Sequence, residues 1–113
     1  MQFIPNTDIT SFESTNKEWI FIQNVLRFLN HHDQVPFLTE DNFIDMECMD
    51  CFSFSSKKAL YIGNIIEEAL RLNLLQNYVK EIDDDISYLD KMNFIYQFQD
   101  FVIFSGGFYV KHL

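Results

Sequence analysis

The chain has 113 residues, 48% of them hydrophobic and 17% aromatic with 13 Phe, which is far too apolar for disorder and enough for one domain, 1–113, with a core of its own. Its 17 Asp and Glu against 8 Lys and Arg give a formal net charge of −9. That charge disfavours direct binding to nucleic acid or to an anionic membrane surface, and it favours a basic protein as partner.

Residues 1–14 read as an irregular lead-in, with Phe3, Ile4, Ile9 and Phe12 apolar enough to be tied down on the core and a turn at Pro5 and Asn6. The lead-in has no basic region and no long apolar run, so no secretory signal is expected. The longest apolar runs, such as Trp19-Ile-Phe-Ile22, are too short to span a membrane. With only Cys48 and Cys51 present, a reducing, cytoplasmic location is expected rather than a disulfide framework.

Thr15-Asn16-Lys17-Glu18 fits a capping box, so a first helix should follow to about His31. Trp19, Ile22, Val25, Leu26 and Leu29 form its inner stripe. Ile20, Phe21 and Phe28 widen that stripe nearly all round, which predicts burial on two sides or a face meant for a partner, including a possible homodimer. Residues 33–36 end the helix ahead of Pro36. Thr39 caps a short second helix to about Asp50, burying Phe43, Ile44 and Met46. Phe52-Ser-Phe-Ser-Ser56 reads as a connector, and Ser55 or Ser56 caps a third helix from Lys57 to about Asn73 with Ile62, Ile66, Ala69 and Leu70 inward. Gly63 in that helix implies close packing against a neighbour, because it costs roughly 1 kcal/mol relative to Ala. Leu74, Leu75, Tyr78, Val79 and Ile82 form a fourth segment after a break near Asn73, or the end of one long helix. Three adjacent aspartates, Asp83, Asp84 and Asp85, make a loop, and Asp85 caps the last helix.

That last helix organises the chain. Ile95, Phe98, Phe101 and Val102 recur at helical spacing, with Asn93, Gln97 and Asp100 on the other side. It ends at Ser105-Gly106-Gly107, followed by a short tail from Phe108. Phe101-Val-Ile-Phe104 and Phe108-Tyr-Val110 are also strand formers around a Gly-Gly turn, so the alternative is a C-terminal hairpin. The expected fold is mainly α, four to five helices around a Phe/Ile/Leu core; the alternative is α+β with a C-terminal β-hairpin.

Few residues suggest chemistry. Cys48-Met-Asp-Cys51 with His31 or His32 has the donor types of a zinc site, but it lacks a second pair at standard spacing. His31 and His32 equally suit a helix C-terminus, where positive charge complements the dipole. The aspartate run lacks the glycine and terminal Glu of a calcium loop. No nucleophile elbow, P-loop or zincin motif occurs, so no enzyme and no cofactor are expected. What remains is two acidic groups, Glu40, Asp41, Asp45, Glu47 and Asp50, and Glu81, Asp83, Asp84, Asp85 and Asp90. If they converge, they form a surface for the Lys and Arg of a basic partner, with Tyr88, Tyr96 or Phe52 as aromatic anchors.

A small, acidic, cysteine-poor domain without a catalytic motif, ending in Phe104-Ser-Gly-Gly-Phe108, resembles as a class the bacterial immunity proteins, which neutralise the toxin domain of contact-dependent inhibition systems or bacteriocins. The resemblance implies stoichiometric inhibition of a cognate basic toxin, often a nuclease, by covering its active site or an adjoining surface. It carries over no functional residue. A phage-encoded inhibitor of a host defence protein shares the same physics. The alternatives are a small cytoplasmic metal-dependent protein or enzyme using the cysteine pair, or a helical adaptor or scaffold.

Overall fold

A computed structural model describes residues 1–32, 38–48, 51–82 and 85–111. The chain folds into five helices and four short strands in the order β1 (Gln2–Pro5), β2 (Phe12–Glu13), α1 (Asn16–His32), α2 (Glu40–Cys48), β3 (Cys51–Phe54), α3 (Ser56–Arg71), α4 (Leu74–Glu81), α5 (Tyr88–Phe104) and β4 (Phe108–Lys111). With 66% of the described residues helical, the fold is mainly α with a small antiparallel sheet.

The helix starts follow local chemistry. The Thr15 amide donates to Glu18 Oε1 at 2.8 Å, and the Glu18 amide donates to Thr15 Oγ1 at 3.1 Å, a reciprocal capping box. Thr39 and Asn42 make the same exchange ahead of α2, at 2.9 and 3.2 Å. Ser55 Oγ accepts from the Lys58 amide at 3.1 Å to start α3. The break after α3 falls at Asn73, which holds φ 60°, a left-handed conformation that asparagine tolerates better than most residues. The last helix departs from expectation. Ser87, not Asp85, is its N-cap, and Ser87 Oγ accepts from the Asp90 amide at 3.1 Å. Asp85 stands two positions before Ser87, with Ile86 between, outside the capping geometry.

The strands are where the sequence reading needs correction. The lead-in is not irregular: it supplies β1 and β2. The stretch read as a connector supplies β3, and the short tail is β4. Residues 101–104 stay helical, so β4 is not the second arm of a local hairpin. It lies inside the sheet instead, in the order β2-β1-β4-β3, pairing Phe3 with Val110 on one side and Phe54 with Phe108 on the other. Each of these pairings joins segments more than fifty residues apart, which short-range patterns cannot reveal.

The sheet buries Phe3, Phe54, Phe108 and Val110 against α5. Phe3 is at the centre, with ring centroids 5.2 Å from Trp19, 6.1 Å from Phe98 and 6.1 Å from Phe108. The pairs with Trp19 and Phe98 are edge-on, and aromatic pairs of that kind add about 0.5–1.5 kcal/mol beyond area burial. Every residue of the expected α1 stripe is buried. Phe21 is buried as well, and the half-buried Phe28 stacks on Tyr78 with centroids 4.1 Å apart, while Ile20 stays exposed. Burial pushes the Tyr78 phenol above its ordinary value. Gly63 packs as expected: a Cβ there would lie 2.5 Å from Ile103 Cγ1 on α5.

The end of α5 is closed by the end of β1. Thr7 Oγ1 donates to the Phe104 carbonyl at 2.8 Å, and the Asn6 and Thr7 amides donate to Ser105 O at 2.9 and 3.1 Å. These bonds satisfy carbonyls that a helix end otherwise leaves unpaired. They also fix the turn that carries the chain into β4.

Candidate functional site

Among the acidic residues, the structure gathers Glu81, Asp85 and Asp90 around the turn between α4 and α5. α4 ends where Ile82 takes an extended conformation with its amide on Val79 O at 3.2 Å. Five residues later Ser87 starts α5, so the acids on the turn and on its two flanks project from helix ends. Glu81, Asp85 and Asp90 are all exposed. Asp90, in the first turn of α5, sits at the positive end of the helix dipole. Asp83 and Asp84, expected here too, lie outside the described residues.

Two lysines hold the turn. Lys17 at the start of α1 forms an exposed ion pair with Asp85. That hydrogen bond, helped by a backbone one, keeps the Asp85 carboxyl below the usual carboxylate range and so ionised. Lys91 lies beneath the turn with only 2% of its surface exposed, donating to Ile82 O at 3.3 Å, with Nζ 6.0 Å from the Phe21 ring. A buried cation directly under an acidic turn lowers the cost of collecting like charges there.

Apolar groups stand among these acids. Tyr88 is 40% exposed and Leu89 67%. Lys80 Nζ lies 5.6 Å over the Tyr88 ring. An open groove of about 440 Å³ runs beside them between the start of α1 and α5, past Glu18, Ile86, Asp90, Asn93 and Gln97.

The second expected cluster is elsewhere. Glu40 and Asp41 are exposed in the first turn of α2, and Glu40 pairs with Arg27 at 3.6 Å. Arg27 also caps the Phe43 ring at 4.2 Å. Lys17 and Arg27, which anchor the two clusters, are ten residues apart on α1, about 15 Å along its axis. The described members of the two clusters thus meet α1 at separate points and are not merged into one patch. The side chains of Asp45 and Glu47, and all of Asp50, lie outside the described residues.

The remaining expectations divide in the same way. The side chains of Cys48, Cys51 and Phe52 lie outside the described residues. His31 and His32 end α1 in exposed positions, with the His32 ring 4.4 Å from Phe28. Among the described residues no group of three His, Cys, Asp or Glu stands together as a metal site. Tyr96 is exposed at 49%, as an anchor should be. The sequence reading missed Leu89 and Phe104, the two most exposed large apolar residues among those described, at 67% and 63%. A signal existed: Leu89 and Phe104 stand four residues before Asn93 and four after Asp100, both of which had been placed on the outer face.

A different surface runs along α3, where an open groove of about 520 Å³ passes Lys57, Lys58, Leu60 and Tyr61. Its charge is opposite to that of the α4–α5 turn.

Compared with family models, curated proteins and solved structures, the chain matches none.

Proposed function

We propose that this chain is an acidic, stoichiometric protein inhibitor of the immunity type, which binds and neutralises a basic toxin domain, of the nuclease kind, through the turn between α4 and α5. The observation that carries this reading is the exposed pair Tyr88 and Leu89 set among Glu81, Asp85 and Asp90. An apolar anchor inside a charged rim is the composition of an interface centre, in which a few side chains supply most of the energy. Burying Leu89 alone is worth about 1.5–3 kcal/mol. A nuclease holds its substrate by cations facing phosphates, and an acidic turn presents charge of the same sign to those cations.

The test is co-expression with a basic toxin domain encoded beside this gene. Growth should be restored, and the two chains should elute as a 1:1 complex. A Glu81→Lys, Asp85→Lys, Asp90→Lys variant should fold normally by circular dichroism and fail to protect. Full protection by the folded variant, or no complex with any adjacent basic product, removes this reading and leaves a helical scaffold as the better one.

A further inference from the structure

We infer that the outward face of α5 is the seat of a basic amphipathic helix from the partner. This rests on the proposed function and extends it from the turn to the whole length of the helix.

α5 is apolar on two sides. Its inner side buries Phe94, Ile95, Phe98, Phe101 and Val102. Its outer side exposes Leu89, Tyr96 and Phe104. At 3.6 residues per turn these three fall within about 80° of one another, in a stripe about 22 Å long. Single exposed apolar residues are ordinary. Three large ones spaced seven and eight residues apart along one face form a seam of the kind that helix-in-groove recognition uses. Asn93 and Asp100 lie inside the stripe. Asp90 and Gln97 border it on the flank of the groove shared with α1.

The charge of this face selects the occupant. Asp90 and Asp100 lie on or beside the seam, and Glu81 adds to the negative field past its N-terminal end, while Asp85 there is balanced by its ion pair with Lys17. The cations at that end are engaged within the chain, Lys17 with Asp85 and Lys80 over Tyr88. A helix with leucine-like residues along one edge and Lys or Arg beside them complements both seam and rim. A second copy of this chain would bring the same acids onto themselves, each copy carrying a net charge of −9.

The probe is a synthetic helical peptide of about 16 residues, matching the 22 Å face, with leucines along one edge and lysines elsewhere. The full chain, labelled with ¹⁵N, is titrated with it. Saturable shifts should map to the amides of 88–104. Binding should weaken at least about tenfold when glutamates replace the lysines, and again in a Leu89→Ser, Tyr96→Ser, Phe104→Ser variant. Exposed positions tolerate such changes, and Leu89→Ser alone, at the most exposed of the three, gives a second variant with the same expected direction. Leu60→Ser on α3 should leave binding unchanged. Shifts centred on α3, equal binding of the glutamate peptide, undiminished binding by the seam variant, or self-association through α5 by light scattering would each overturn the inference. In the toxin assay the seam is tested with Tyr96→Ser, Phe104→Ser, which leaves the Tyr88 and Leu89 anchor of the turn intact: protection lost by the turn variant but kept by this one sinks this inference alone. Protection kept by both sinks the functional reading as well.

Discussion

Of the three glycines, Gly107 is the one whose added side chain would press on backbone. Its φ of +94° lies in the region that L side chains avoid, and a Cβ there would meet Ser56 N at 2.8 Å and Phe54 O at 2.9 Å. Both are backbone atoms, one at the start of α3 and one in β3, and neither can rotate away. Gly106 also has positive φ, +66°, but its added Cβ would crowd a side chain rather than backbone, the Thr7 Cγ2 methyl at 2.8 Å, which can give way at some cost to the Thr7 Oγ1 bond with the Phe104 carbonyl. Left-handed strain costs about 1–3 kcal/mol and overpacking about as much again. Gly107→Ala should therefore destabilise by about 3–5 kcal/mol and Gly106→Ala by about 1–2 kcal/mol, read from urea unfolding midpoints. Equal losses would mean that the contact with Ser56 and Phe54 does not decide the cost. The sequence marked both glycines as a helix stop, but not which one the sheet crowds.

At the scale of elements, α5 shows how local signals mislead by a few residues. Asp85 and Ser87 are both good caps by type. Asp85 is instead turned toward Lys17, and Ser87 holds the extended backbone, φ −65° and ψ 153°, that a cap requires. Ser87→Ala should cost about 1 kcal/mol, the usual worth of a cap, whereas Asp85→Asn should leave the midpoint nearly unchanged, because an exposed ion pair contributes little. Thermal unfolding of the two variants separates them, and a larger loss for Asp85→Asn would return the cap to Asp85. The same helix explains why the functional face was half-seen. Asn93, Gln97 and Asp100 mark its outer side correctly and Tyr96 is expected there as an anchor, but nothing in the period assigns Leu89 and Phe104 to that side.

At the scale of the whole molecule, charge governs how the protein meets a partner more than how it folds. The exposed acids of the α4–α5 turn act on the rate of encounter, which for complementary charges rises from about 10⁵–10⁶ to roughly 10⁸ M⁻¹s⁻¹ at low salt. The Debye length shrinks from about 30 Å at 0.01 M to about 10 Å at 0.1 M ionic strength. Stopped-flow association with the cognate basic domain should slow steeply across that range for the wild type, and the curve for the Glu81→Lys, Asp85→Lys, Asp90→Lys variant should be much flatter. If the variant keeps both the rate and the salt slope, the turn is only a solvated loop and the binding surface lies elsewhere.

The sequence by itself determined what depends on neighbours a few residues away. The capping box at Thr15, the cap at Thr39, the inward stripes of α1 and α3, the break near Asn73 and the stop at Gly106 and Gly107 all rest on periods and caps spanning one or two helical turns. The acidic character of the turn was legible for the same reason. Only the tertiary structure decided that β1, β3 and β4 are strands of one sheet, because the β1–β4 and β3–β4 partners lie far apart in sequence and strands of two to four residues carry almost no period of their own. It also placed Lys91 beneath the acidic turn, kept the described members of the two acidic clusters apart, and left Leu89, Tyr96 and Phe104 facing outward. Which side of a doubly apolar helix is buried depends on what packs against it, and in this chain the sheet and α3 make that choice.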